Sequence, residues 1–167
     1  MAKNICEEQT FQQLFQSLSE RLRNYLYYRS GDRAQAEDIT QEAFLRLWQN
    51  CGQVTPEKAR PYLFRIANNL FLDQIKHRQV VLAFRQKTTE PPAVDLPDQL
   101  VEAEAFREAL IRAIQALPEK QRVVFLMSRT DGLTYQEIAE LLGISKKAVE
   151  KRMSQALIAL RQAIDEK

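Results

Sequence analysis

The chain has 167 residues, 45% of them hydrophobic and 28% charged, with only four glycines and six prolines, which suits one helical globular domain or two small ones and excludes a disordered chain. A net charge of +2 is too small to mark a nucleic-acid binder, but it is unevenly spread: residues 145–161 hold five basic side chains against one acidic, and residues 32–44 hold four acidic against one basic. The first segment suits phosphates and the second a basic protein surface.

Residues 1–11 are polar, without the apolar core of a secretory leader, and no window approaches the roughly 18 apolar residues that span a bilayer. A cytoplasmic protein with no membrane insertion is therefore expected. Cys6 and Cys51 lack metal-ligand spacing, and a single pair in a chain of this size is no disulfide framework, so they are expected to be ordinary reduced thiols.

Residues 10–28 read as an amphipathic helix, with Phe11, Leu14, Phe15, Leu18, Leu22 and Leu26 at spacings of three or four, stopped by Ser30, Gly31 and Asp32. A second helix, residues 33–49, has Ala36, Ile39, Ala43 and Leu47 in one stripe and Asp38, Gln41, Glu42 and Arg46 largely away from it. After a polar turn at 50–57, a third helix at 60–78 carries Leu63, Ile66, Ala67, Leu70 and Ile75. Three such helices can close one core. Between residues 79 and 99 the helical pattern decays, half of the prolines cluster, and the charge turns acidic, which marks a linker. Periodicity resumes near Leu100, pauses at Leu117-Pro118 and again at Asp131-Gly132, and two further helices follow.

The sharpest local pattern lies in residues 134–160. Thr134 and Glu137 form a capping box; Ile138, Ala139 and Leu142 face inward; Gly143 permits a tight turn; Ser145 caps the next helix. Ile144, Val149, Met153, Leu157 and Leu160 supply that helix's buried side. This is helix-turn-helix spacing, and it leaves Lys146, Lys147, Glu150, Lys151, Ser154 and Gln155 exposed where a recognition helix would meet the major groove. A plain helical hairpin with a solvated basic face is the competing reading. The helix at 60–78 mixes Arg60, Arg65, Lys76, His77 and Arg78 with Tyr62, Phe64, Phe71, Asn68 and Asn69, which suits single-stranded DNA. From the residues alone, a core helix with a charged outside is favoured there. No Cys/His cluster, glycine-rich phosphate loop or nucleophile–base pair is visible, so neither an enzyme nor a cofactor or metal is expected.

Three segments in order resemble the extracytoplasmic-function family of sigma-70-type RNA polymerase sigma factors. Ala36-Glu37-Asp38-Ile39-Thr40-Gln41-Glu42-Ala43-Phe44-Leu45-Arg46-Leu47-Trp48 is similar to the family's region 2.2, and Pro61-Tyr62-Leu63-Phe64-Arg65-Ile66-Ala67-Asn68-Asn69, followed by Asp73, to its region 2.3/2.4. Leu117-Pro118-Glu119-Lys120-Gln121-Arg122 and the hairpin from Gly132 onward resemble region 4. The resemblance implies an all-α chain of two small helical domains, region 2 at 8–80 and region 4 at 102–166, joined by a flexible linker at 81–101. It implies that Asp38, Gln41, Glu42 and Leu45 dock on the clamp helices of the largest subunit of core RNA polymerase. It also implies that Tyr62, Arg65, Asn69, Lys76 and Arg78 read the minus-10 promoter element, with Asn69 beside the flipped base and residues 50–57 closing over it. Lys146, Lys147, Glu150, Lys151, Ser154 and Gln155 would read the minus-35 element, and an anti-sigma factor would be a further partner. Many relatives have Trp at the place of Tyr62 and arginine at the places of Glu150 and Gln155, so base preference does not transfer. An autonomous, dimeric helix-turn-helix regulator and a helical adaptor without a nucleic-acid role are the rival expectations.

Overall fold

A computed structural model describes the backbone of residues 3–82 and 98–165, and their side chains except at 78–82 and 98–102. The described residues form seven helices: α1 Glu8–Ser30, α2 Arg33–Gln49, α3 Pro56–Leu82, α4 Asp98–Ala116, α5 Glu119–Arg129, α6 Tyr135–Leu142 and α7 Lys146–Asp165. The chain is all-α, as expected, and falls into an N-terminal group α1–α3 and a C-terminal group α4–α7. Most of the expected linker lies outside the described residues; helix α3 enters it from one side and α4 from the other.

In the first group, the predicted stripe of α2 is fully inside, with Ala36, Ile39, Ala43 and Leu47 at most 1% exposed. It meets Leu18, Leu22 and Leu26 of α1 and Leu63 and Ala67 of α3, and this apolar burial holds the three helices together. Gly31 ends α1 in the left-handed region, φ +67°, where its N–H reaches the Tyr27 carbonyl, and the Asp32 carboxylate then caps α2 by accepting from the Gln35 N–H at 3.1 Å. Helix α3 starts at Pro56, a turn earlier than the pattern suggests. Pro61 lies inside it, close enough to the N-terminus that its missing N–H removes only one interior bond.

Phe64 and Phe71 are both 3% exposed and belong to the core, which agrees with the favoured reading of this helix as a core helix and removes these two rings from the stacking alternative. The cysteines also depart from expectation: Cys6 and Cys51 form a disulfide, with Cα atoms 5.1 Å apart and no free cysteine left. Spacing could not reveal it, because the segment before α1 folds back beside the α2–α3 turn only in three dimensions. Ile5, completely buried, holds that segment down.

The two groups are packed against each other. One contiguous set of buried apolar side chains runs from α1–α3 to Val123, Val124, Met127, Leu133, Ile138 and Leu141. A smaller set, Leu117, Ala156 and Leu160, joins the base of α4 and α5 to α7.

Candidate nucleic-acid interface

The α6–α7 hairpin follows local rules throughout. Thr134 Oγ1 accepts from the Glu137 N–H at 3.1 Å, and Glu137 Oε2 accepts from the Thr134 N–H at 2.9 Å, the reciprocal pair of a capping box. This backbone hydrogen bond holds the Glu137 carboxyl below the usual carboxylate range. Gly143 turns the chain at φ +67°, and Ser145 Oγ accepts from the Ala148 N–H at 3.1 Å to start α7. Val149, Met153, Ala156 and Leu160 are buried, while Lys146, Lys147, Glu150, Lys151, Ser154 and Gln155 are all exposed. On α6, Leu141 is buried and Leu142 only half-buried, because Leu141 faces the α1–α3 group as well as α7.

On α3, Tyr62, Arg65, Asn69 and Lys76 recur at helical spacing along one face. Tyr62 is half-buried and the other three are exposed; the Arg78 side chain lies outside those described. The Arg65 guanidinium sits 5.7 Å from the centre of the Tyr62 ring. Tyr62, Arg65 and Asn68 line a cleft of about 600 Å³ together with Asn50, Gln53 and Val54 of the α2–α3 turn. The amide brought into this cleft is Asn68, whose Oδ1 accepts from Arg29 Nη1, while Asn69 is exposed beside it. A sugar edge or base entering here would meet an aromatic ring, a cation and several amides, the chemistry that unstacked nucleotides require.

Helix α2 exposes Asp38, Gln41, Glu42 and Leu45 on the side away from the core. Arg46 pairs with Glu42 at 3.2 Å in the open, a contact of small energetic weight. Leu45 is 50% exposed, Trp48 42% and Phe15 43%, and with Phe11 and Phe44 they border a shallow apolar groove beside Gln41. Phe11 meets Trp48 edge-on at 5.0 Å and Phe15 meets Phe44 at 4.9 Å. Sequence reading assigned Phe15 to the core; its place at the outer edge of the α1 stripe, opposite Phe44, leaves half of it uncovered. A cluster of large apolar groups edged by Glu8, Gln12, Gln16 and Gln41 has the chemistry found at protein-protein contacts rather than at nucleic-acid ones.

Polar contacts between the helical groups were not legible in sequence. Arg29, with only 10% of its side chain exposed, donates to Glu119 and Asn68 and lies 4.2 Å from the Phe71 ring centre. Arg122 donates to the carbonyls of Tyr28 at 2.8 Å and Arg29 at 3.1 Å, and the Asp131 carboxylate accepts from Tyr28 Oη at 2.6 Å and Asn24 Nδ2 at 3.2 Å. Burial, then the bond to Asp131, pushes the Tyr28 phenol well above its ordinary range; burial likewise raises Tyr25.

Glu140 and Leu141 of α6 and its cap Gly143 form the far wall of the cleft that holds Tyr62, Arg65 and Asn68. Lys151 and Gln155 of α7 line a neighbouring crevice with Asn68 and Leu72. The C-terminal group thus walls the cleft on one side, while Arg65, Asn69 and Lys76 of α3 and the polar face of α7 remain exposed. Among the described residues no cluster of three or more potential metal ligands occurs, and no helix is long and apolar enough to cross a membrane.

Residues 14–80 match the sigma-70 region 2 family, and residues 107–160 match sigma-70 region 4. The chain is 35% identical over 142 residues to the ECF RNA polymerase sigma factor SigL of Mycobacterium tuberculosis, across 82% of this chain and 78% of that one. It is 29% identical over 155 residues to the ECF RNA polymerase sigma factor SigE of Mycolicibacterium smegmatis, across 91% of this chain but only 60% of that one. The chain thus spans about three fifths of the SigE relative's length. Its fold is similar to that of the sigma factor RpoE in co-crystal with the anti-sigma factor NepR from Bartonella quintana, with a TM-score of 0.64 and 20% identity over 93% of this chain and 96% of that one.

Proposed function

Since the chain belongs to the extracytoplasmic-function family of RNA polymerase sigma factors, we propose that it is an alternative sigma factor that binds core RNA polymerase and directs promoter-specific initiation, without catalysing a reaction itself. One observation carries the reading: a single chain bears two separate faces suited to DNA and a third, acidic and apolar, suited to protein.

In this reading region 2 comprises residues 8–80, the linker 81–101 and region 4 102–166. Asp38, Gln41, Glu42 and Leu45 dock on the clamp helices of the largest polymerase subunit, with Phe15 and Trp48 adding apolar area beside them. Once the duplex opens, Tyr62 offers a ring, Arg65, Lys76 and Arg78 neutralise phosphates, and Asn69, with Asn68 beside it, hydrogen-bonds the unpaired minus-10 bases. Lys146, Lys147 and Lys151 hold the minus-35 duplex by its phosphates, leaving Glu150, Ser154 and Gln155 to discriminate base edges.

Because Glu140, Leu141 and Gly143 wall the α3 cleft in the closed chain, entry of an unpaired base there separates the helical groups, and polymerase supplies the two anchor points that hold them apart. Tethering both on one surface raises their effective concentration at the promoter, which offsets the weak binding of each alone. The work is done in the cytoplasm, where polymerase and promoter reside, and an anti-sigma factor that favours the closed form is the expected inhibitor.

The test is transcription by sigma-free bacterial core polymerase on a genomic promoter library, with the native chain beside an Asp38→Arg/Glu42→Arg variant. The native chain yields discrete start sites and the variant none. Tight duplex binding without initiation would point instead to an autonomous regulator.

A further inference from the structure

We propose that the Cys6–Cys51 bond is a reversible redox modification that sets how firmly the α2–α3 turn is held over the minus-10 cleft. The proposal rests on the reading of that turn as the part that closes over an extruded base.

The bond joins the segment before α1 to the first residue after the end of α2 and its cap Asn50. Helices α1 and α2 need no such tie, because Leu18, Leu22, Ile39, Ala43 and Leu47 already bury them against each other. The turn is held less firmly. Gly52 and Gln53 are exposed, only Cys51 and Val54 pack half-buried against the core, and its hydrogen bonds are all local, among them Cys51 N–H to Trp48 O at 3.2 Å and Gln53 N–H to Asn50 O at 2.9 Å. A covalent tether at Cys51 therefore restrains mainly the turn, and Asn50, Gln53 and Val54 of that turn form one wall of the cleft.

The bond is also within reach of small thiols, since Cys6 is exposed and Cys51 only half-buried. Transcription runs in a reducing compartment, where protein disulfides that form are mostly transient or redox-sensing, and exposed ones are the readily exchanged kind. Formation consumes one molecule of a small disulfide such as oxidised glutathione. The Cys6 thiolate attacks one of its sulfurs and expels a thiolate; the Cys51 thiolate then attacks the Cys6 sulfur and expels the second. Two protons leave the protein and two electrons pass to the glutathione, which ends as two thiols. Reduction is the reverse.

Oxidation pre-orders the turn, so less freedom is lost when a base enters. Fixing one residue in advance corresponds to about five- to thirtyfold in affinity. The experiment uses the full chain with core polymerase in glutathione buffers of graded oxidised-to-reduced ratio. Thiol tagging reports the bond, and promoter opening on a duplex template reports function, beside a Cys6→Ser variant. The bond should titrate reversibly, the oxidised native chain should open the promoter about five- to thirtyfold better than the reduced one, and the variant should match the reduced chain in every buffer. Equal opening by the two forms, or a bond that never exchanges with glutathione, overturns the proposal. No initiation by either form while the bond titrates normally overturns the sigma reading itself, and the switch with it.

Discussion

Replacing Arg122 and Asp131 together by alanine should open the molecule without unfolding either helical group. The two side chains make four hydrogen bonds to α1 across the boundary: Arg122 to the Tyr28 and Arg29 carbonyls, and Asp131 from Tyr28 Oη and Asn24 Nδ2. Hydrogen bonds to charged groups contribute roughly 1.5–3 kcal/mol each, but the two on each side chain share it and both residues are half-exposed, so about 2 kcal/mol per side chain is the reasonable figure. Their sum, about 4 kcal/mol, multiplies the open-to-closed ratio by about a thousand. Arg122 also donates to the Gln115 and Leu117 carbonyls within its own group, so helicity must be followed as a control. The assay is small-angle scattering of the free chain. A closed chain of this length has a radius of gyration of about 15 Å, and separated groups give a clearly larger one. The native chain should scatter as closed and the double variant should show a larger mean radius of gyration, with unchanged helical circular dichroism, while the apolar contacts of Val123, Val124, Met127 and Leu141 still oppose full separation. A double variant that keeps full helicity and the native radius would refute the idea that these polar contacts help hold the groups together.

Other consequences follow from individual contacts. Thr134→Ala removes the α6 cap and should cost about 1 kcal/mol in urea unfolding; the Glu137 carboxyl is held low in the fold chiefly by the Thr134 backbone N–H, so its contribution is present above its ordinary value of 4.5 and fades as pH falls below it, a dependence that Thr134→Ala should largely keep and Glu137→Gln should lose. The Tyr28 phenol is raised, so its contribution is complete below its ordinary value of 10.0 and declines as pH rises beyond it; thermal unfolding across alkaline pH should show this decline, weaker in Asp131→Ala. Lys146→Ala, Lys147→Ala and Lys151→Ala should each weaken holoenzyme binding to all minus-35 sequences alike and lower the salt slope by about one, whereas Gln155→Ala should alter base preference by about 1–3 kcal/mol, both read by competition binding. Leu63→Ala, at a fully buried position of α3, should destabilise the N-terminal group by about 2–5 kcal/mol in the same urea assay.

What was legible in sequence was what is local. The Thr134–Glu137 box, the Gly143 turn and the Ser145 cap each depend on residues a few positions apart, and all three form as read. The α2 stripe was equally plain, since burial repeats with the helical period. The favoured core reading of the 60–78 helix holds for Phe64 and Phe71, both inside, whereas periodicity failed at Phe15, which stayed half out because neighbouring helices decide that and not the helix itself. The first turn of α3 was hidden for a different reason: residues 56–59 add only Ala59 to the apolar stripe, and Pro61 is a residue that ordinarily stands at a helix start. The contacts of Arg29 with Asn68 and Glu119, those of Arg122 and Asp131 with α1, and the Cys6–Cys51 bond join residues between 39 and 107 positions apart. No spacing rule reaches that far.

The most direct test of the account is footprinting of the holoenzyme on one of its own promoters. Two separate patches should be protected, with permanganate-reactive thymines only in the downstream one. Tyr62→Ala/Arg65→Ala should abolish the reactive thymines while leaving upstream protection, and Lys146→Ala/Lys147→Ala/Lys151→Ala should weaken the upstream patch. A single, two-fold symmetric footprint made by the free chain without polymerase would contradict the account.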